Sequence, residues 1–430
     1  MRKLLAILSL FLPLVAQDYI QIIHKVNNSL LLQQAGKLTE ASKKMVQAAQ
    51  GKNLPTLDVS LQVIHLKDTP TMYLHMPRTP VMALPMGKQE QWQGELRLTY
   101  PLFSGFAITA ATQKAKLEYE KAKLKKDDLK RNLYMQTTML YSSIYALKQK
   151  LQALQRAKKA IDLAYKKAQG FYNKGLLAPS ELYNIQAKKY KIAADITQTK
   201  GQITALFNNL SYLLNIKIST TDELTSLPMP QKSQILQSAL QQREDLLALY
   251  KSLGIDQEDI ILAKSTYYPK IALFAALKKH GDSMALNGDG FTNADQSYVG
   301  AAVQWNLFSG FSDKQRVEAA KMKKAATTLQ IAEYKQRITT NIENAFVKLT
   351  ALKQKLKSAT SQVKAQLEYY KLTQGRFDNQ LASADELSRS IADLAAARAQ
   401  KAAIEAQIFN QVAYIYLLGG LKNFEKIALR

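Results

Sequence analysis

Two kinds of hydrophobic spacing divide this chain. Over residues 91–100 apolar and polar positions change places at every step, with Trp92, Gly94, Leu96, Leu98 and Tyr100 set against Gln91, Gln93, Glu95, Arg97 and Thr99. A period of two over ten residues predicts a β-strand with one apolar and one polar face. The pattern returns at 298–307, where Val299, Ala301, Val303, Trp305 and Leu307 alternate with Tyr298, Gly300, Ala302, Gln304 and Asn306. Partner strands are predicted at 57–66 and 270–278. A Pro/Met-rich loop (67–89) and a Gly/Asp/Asn-rich loop (280–296) join the pairs. Such strands suit a transmembrane barrel, apolar side to lipid, and suit equally a half-buried sheet of a soluble protein.

Elsewhere the spacing is three or four, as in Leu140, Ile144, Leu147, Leu151 and Leu154. Between Ser104 and Lys174 the only glycine beyond Gly105 is Gly170 and there is no proline; between Ser312 and Gln380 the lone interruption is Gly375. Each stretch predicts a helix on the order of 100 Å long, which must pack lengthwise as a coiled coil or helical barrel. Each is predicted to reverse at a turn, "NKGLLAPSEL" (173–182) and "DNQLASADEL" (378–387). Pro179 suits the first position of a returning helix over 179–215, and Ser383 with Glu386 fits a capping box opening one over 384–418. Shorter helices are predicted before the strands, at 18–52 and 233–266.

The halves repeat. Leu-Phe-Ser-Gly-Phe is written at 102–106 and again at 307–311, 205 positions apart, and Gly175 and Gln380 of the two turns share that offset. A first repeat is therefore expected over 17–227 and a second over 228–422, with a tail at 423–430. In each copy Ser104 or Ser309 is a predicted N-cap, and Gly105 or Gly310 allows a tight change of direction. Pro101 is expected to end its strand for want of a backbone donor.

Composition narrows the chemistry. With 59 Lys+Arg against 34 Asp+Glu the formal net charge is +25. The basic residues are spread along helical patterns (Lys121, Lys123, Lys125, Lys126; Lys353, Lys355, Lys357) and form no discrete arm, so they read as solvated helix faces rather than a nucleic-acid surface. Cysteine is absent, which excludes disulfides, thiolate metal sites and a lipidated N-terminal cysteine. The four histidines lack helical metal-pair spacing. No Ser/His/Asp set or phosphate loop points to catalysis; "LFSGF" has one glycine and no following Lys-Ser/Thr. No enzyme activity, metal or cofactor is expected. Residues 1–16 have a basic start and an apolar run from Leu4 to Ala16, as in a secretory signal, although Leu14 stands where a small residue is preferred. No later apolar run approaches transmembrane-helix length, so a membrane could be entered only as a closed barrel. Four strands cannot close one, which would force an oligomer.

Taken together, the export signal, the duplicated strand–strand–long helix–turn–helix unit and the doubled "PLFSGF" and "NLFSGF" resemble the TolC family of trimeric outer-membrane channels. The resemblance covers nearly the whole mature chain. It implies a mainly α fold with β: four transmembrane strands per protomer in a trimeric twelve-stranded barrel, and long helices forming a periplasmic α-barrel. It also implies a homotrimer in outer-membrane lipid that works with a periplasmic adaptor and an inner-membrane transporter as an exit duct for efflux or type I secretion. Phe103, Phe106, Phe308 and Phe311 would lie near the periplasmic interface, or else serve as core aromatics at a strand–helix junction. The turns match a Y/F-x-x-G-L-x-x-x-x-D/E-L pattern through Tyr172, Gly175, Leu176, Glu181, Leu182 and Phe377, Gln380, Leu381, Glu386, Leu387. The resemblance implies adaptor contacts at Gly175, Leu176, Leu177, Pro179, Glu181, Leu182, Leu381, Ala382 and Ser383; simple helix-reversal chemistry would explain Gly175, Pro179 and Ser383 equally. It further implies a periplasmic constriction. Glu181 matches an acid that would pair with Arg and Tyr on the second turn, but those positions hold Ala382 and Phe377. Asp385 or Glu386 would line the ring, with Arg389 standing where a further acid is expected. A soluble periplasmic coiled-coil scaffold or adaptor is the competing expectation, but an adaptor would show one hairpin flanked by Gly-rich β segments.

Overall fold

Helix-forming sequence occupies most of the chain, and the strands fall between the helices in two groups. The computed structural model describes residues 18–224 and 226–428; the expected leader at 1–16 lies outside the described residues. In order, the elements begin with α1 (Tyr19–His24), a 3-10 turn (Lys25–Asn28) and α2 (Leu30–Gly51). Then come β1 (Thr56–His65), β2 (Thr71–Leu74), β3 (Met82–Pro85), β4 (Glu90–Phe103), α3 (Ala107–Asn173) and α4 (Pro179–Leu214). The second half holds α5 (Lys232–Gln242), α6 (Glu244–Lys264), β5 (Lys270–Gly281), β6 (Tyr298–Gln304), α7 (Ser312–Asp378), α8 (Ala384–Leu418) and α9 (Leu421–Ala428). α3 and α7 are each 67 residues long.

The chain forms two compact units, and the division falls within α2, α3, α6 and α7. The unit of residues 39–122 and 249–330 contains a four-stranded antiparallel sheet in the order β1-β4-β5-β6. Its register puts like with like. Leu57, Val59 and Leu61 lie opposite Leu98, Leu96 and Gly94, while Asp58 and Ser60 lie opposite Arg97 and Glu95. Across the other seam Leu96 meets Leu277 and Arg97 meets Ala276. One face is thus apolar from edge to edge. Nothing among the described residues covers it: Val59 is 80% and Val299 83% exposed, values foreign to a sheet packed on a core. On the opposite face Arg97 binds Glu95 at 2.6 Å and donates to the Tyr298 hydroxyl, which itself donates to Glu95. Among the described residues β1 pairs only with β4 and β6 only with β5, so both sheet edges are open.

Several sequence expectations change. The 67–89 segment is no plain loop: β2 and β3 pair within it as a hairpin. Pro101 does not end β4, which runs to Phe103 with a bulge between Pro101 and Phe103. β1 reaches only as far as Thr99, so beyond it the strand is an edge and a missing donor costs no ladder bond. β6 stops at Gln304, short of Leu307.

The unit of residues 18–38, 123–248 and 331–428 is helical. The expected helix at 18–52 is interrupted at Ser29, whose backbone leaves the helical region (ψ 130°). That at 233–266 breaks at Arg243, whose backbone is extended (ψ 127°). No glycine or proline marks this second break; a buried charge network holds it. Arg243 Nε donates to both oxygens of Asp245 at 2.9 and 3.1 Å. Arg131, only 4% exposed, binds the same carboxylate at 2.9 Å and also Asp128, and Tyr334 donates to it at 2.6 Å. Asp245 would be raised by burial, but Arg243 and Arg131 hold it below the ordinary carboxylate value. The segment expected as a tail enters α9, where Phe424 is buried against the Tyr134 ring and Glu244 accepts from the Leu421 amide at 2.9 Å.

Candidate functional site

Three places carry the residues that the sequence singles out. At the strand–helix junctions both copies of "LFSGF" fold alike. Ser104 Oγ accepts from the Ile108 amide at 3.1 Å and Ser309 Oγ from the Asp313 amide at 3.3 Å, capping α3 and α7. Glycine and the following phenylalanine are left-handed in each, with φ of 63° and 68° at Gly105–Phe106, and 64° and 63° at Gly310–Phe311. The two phenylalanines of each copy meet edge to face, Phe103 on Phe106 at 5.2 Å and Phe308 on Phe311 at 5.4 Å. The copies differ in surroundings. A Cβ on Gly105 would come within 2.5 Å of the Ser265 carbonyl, whereas one on Gly310 would meet nothing.

The first helical turn is built from local chemistry. Gly175 takes φ 71°, and the Leu176 amide bonds back to the Phe171 carbonyl at 2.9 Å, closing α3. Pro179 is the first residue of α4. The second turn reaches the same shape without glycine, through Gln380 at φ 63° and a Leu381 amide bonded to Arg376 O at 2.7 Å. Leu176 and Leu381 are exposed, 53% and 69%, while Leu177 and Ala382 are half-buried against the helical core. That core comprises Ile161, Ala164 and Ala168 of α3, Leu182 and Ile185 of α4, Phe377 of α7, and Ala384, Leu387 and Ile391 of α8. Each large aliphatic side chain there contributes about 1.5–3 kcal/mol by burial.

The third place is the start of α8, where the two turns meet. Its first amides need partners that no preceding helical turn can supply. Ser383 Oγ accepts from the Glu386 amide at 3.1 Å, one half of the expected capping box. The Glu386 carboxylate does not complete the box; it binds Arg376 Nη1 at 2.9 Å and accepts from the Tyr369 hydroxyl at 3.4 Å. The Ala384 amide is instead taken by Glu181 of the first turn, at 3.0 Å. Asn184 Nδ2 donates to Asp385 at 2.9 Å, and Arg389 closes on the same carboxylate at 2.7 Å. Phe377, standing where a tyrosine was expected, is buried against Phe171 at 5.8 Å.

Glu181, Asp385, Glu386 and Arg389 therefore all make polar contacts at the start of α8, while the side chains of Leu176 and Leu381 are exposed at the tips and Arg376 also donates to the Leu381 carbonyl at 3.0 Å. Sequence reasoning missed Asn184, Tyr369 and Arg376. Arg376 had a signal, being a cation in the last turn of α7, where helix carbonyls attract positive charge. The arrangement contains hydrogen bonds and ion pairs between helix ends and no nucleophile–base pair. Among the described residues no cluster of three potential metal-ligating side chains occurs.

Known proteins share this architecture. A family model described as outer membrane efflux protein matches residues 25–215 and 235–421. The multidrug resistance outer membrane protein MdtP of Shigella flexneri is 25% identical over 225 residues, which is 50% of this chain and 44% of that protein. The chain thus spans about half the length of the curated relatives it matches. Among solved structures, VceC of Vibrio cholerae superposes with a TM-score of 0.75 at 15% identity, covering 93% of this chain and 95% of VceC. The CmeC outer membrane channel of Campylobacter jejuni gives 0.75 at 15%, covering 95% and 88%.

Proposed function

The chain belongs to the outer membrane efflux protein family, and from that premise we propose that it is an exit duct of the cell outer membrane. The observation that carries this reading is the sheet with one bare apolar face and two open edges. A lone sheet of this kind is not viable in water or in lipid, because its edges leave backbone groups unpaired. Three copies would supply twelve strands and close a barrel with the apolar face on lipid and the Glu95–Arg97–Tyr298 face on the lumen. Among the described residues no helix is long and apolar enough to cross a membrane, so the sheet is the element that would do so. The helices would continue the duct as a periplasmic α-barrel.

In this reading the duct receives cargo from an inner-membrane transporter through a periplasmic adaptor that docks at the tips, on Leu176, Leu381 and the turn residues around them. The name of the MdtP relative, a multidrug resistance protein, supports small-molecule cargo over secreted protein. The network at the α8 N-terminus would hold the constriction closed, with Asp385 and Glu386 governing ion passage. The competing reading, a soluble periplasmic scaffold, has no structural counterpart for a bare apolar sheet.

Fractionation tests the proposal. Heat-resistant trimers that leave the outer membrane only in detergent, and that conduct in planar bilayers, are expected. Recovery of a monomer in the osmotic-shock fraction would overturn it. Cysteines placed at Leu176 or Leu381 should crosslink to the adaptor, whose identification then fixes the pump.

A further inference from the structure

A second feature of the helical unit lies apart from the turns. α3, α7 and α8 line a half-open cavity of about 210 Å³ whose apolar lining includes Ala153, Ala157, Leu394 and Ala395. Arg156 of α3 and Arg398 of α8 both line it, together with Tyr370 of α7. Neither guanidinium has an ion pair, a hydrogen bond or a ring contact among the described residues, and the Tyr370 hydroxyl has no hydrogen bond. Acids nearby on these helices are engaged elsewhere: Asp162 with Lys158 and Lys189, Asp378 with Lys167, and Asp385 with Arg389. Asp393, exposed on α8, pairs with neither arginine.

Arg398 is half-buried and Arg156 exposed, and two like charges that line one small space repel. Arg398 is held below its ordinary value, by burial first and by the Arg156 charge second. Some neighbouring helix cations, Lys158, Lys167 and Arg389 among them, are placed beside acids, and these two arginines are not. The cavity is therefore rich in donors and poor in acceptors, and the rest of its lining is apolar, with Leu367, Ile391 and Leu394 beside the alanines. Guanidinium forks match the oxygens of phosphate, sulfate and carboxylate groups, and two forks around one anion convert the repulsion into attraction. The volume admits a small ion and excludes a drug-sized molecule.

We propose that this cavity is a binding site for a small oxyanion, held between Arg156 and Arg398 with the Tyr370 hydroxyl as third donor. The proposal concerns the helices alone and stands whether or not the chain is a duct.

Calorimetric titration of the full mature protein in detergent with inorganic phosphate tests it, with sodium chloride at matched ionic strength as control. Because a chain of net charge +25 attracts anions everywhere, the criteria are selectivity over chloride and dependence on these residues. Saturable phosphate binding, absent with chloride, is expected. Arg156→Gln and Arg398→Gln should each weaken it about tenfold or more, and Tyr370→Phe by a smaller factor of about two to five. In chloride buffer Arg398→Gln should melt no lower than the parent, because the substitution relieves a repulsion; a structural arginine would give the opposite sign. Unsaturable or chloride-like phosphate uptake overturns the proposal, as does affinity unchanged in Arg156→Gln, whose exposed position makes it the variant safest to fold.

Discussion

Glu181 joins two helical hairpins through one hydrogen bond, and its removal should be felt at both. Ala384 is fully buried, so its amide has no water to turn to when the carboxylate is lost. Leaving that donor unpaired costs about 1–3 kcal/mol. Loss of negative charge at the α8 N-terminus adds about 0.3–1 kcal/mol. Glu181→Ala should therefore weaken the contact by about 1.3–4 kcal/mol, on the order of ten- to nearly a thousandfold in the local equilibrium. Glu181→Gln keeps an acceptor oxygen and loses only the charge, so about two- to fivefold is expected. Hydrogen exchange of residues 383–390 reads the contact directly, and open probability in planar bilayers reads its proposed consequence. Faster exchange in the order Ala, then Gln, then parent supports the reasoning. Exchange within twofold of the parent in Glu181→Ala would refute the cap, and Gln as damaging as Ala would refute the division between bond and charge. Faster exchange with unchanged open probability would leave the cap standing and remove its role in closure.

Other expectations rest on separate features. Gly105→Ala should cost several kcal/mol, because a left-handed backbone and a 2.5 Å clash with Ser265 O coincide, whereas Gly310→Ala meets only the backbone penalty of about 1–2 kcal/mol; equal melting points would refute this. Asp245→Asn strands two buried arginines and should destabilise by about 3–5 kcal/mol in denaturant titrations. The same carboxylate sets an acid limit. Its folded value lies below the unfolded one, so its stabilisation is complete above about pH 4 and is lost as pH falls through the lowered value. Acid melting of Asp245→Asn should accordingly be flatter than that of the parent. Val59→Lys or Val299→Lys, on the bare apolar face, should block membrane insertion, at about 2–4 kcal/mol per charge at mid-bilayer; normal insertion of both would refute a lipid-facing sheet.

What could be read in the sequence follows the range of the forces involved. The turns at Gly175 and Ser383 and the caps at Ser104 and Ser309 were legible because each is satisfied within four residues of itself. The alternation at 91–100 was legible because its apolar residues lie opposite apolar ones, Leu96 between Val59 and Leu277 and Leu98 between Leu57 and Ala275. The break at Arg243 was hidden, since it depends on a carboxylate shared with Arg131, more than one hundred positions away. Glu181 was singled out, but its partner was not: a backbone amide 203 positions on leaves no trace in residue type. The β2–β3 hairpin escaped because its four-residue strands, flanked by proline and rich in methionine, have too little alternation to register.

The open edges of the sheet bear on how such a chain survives before it has company. β1 offers the outer edge of a ten-residue strand and β6 that of a seven-residue strand, and any extended segment could add to either. The folded sheet and an aggregate thus draw on the same hydrogen bonds, and the outcome is decided by which partner arrives first. For this chain stability is then a matter of encounter rate and local concentration, set by supply as much as by sequence.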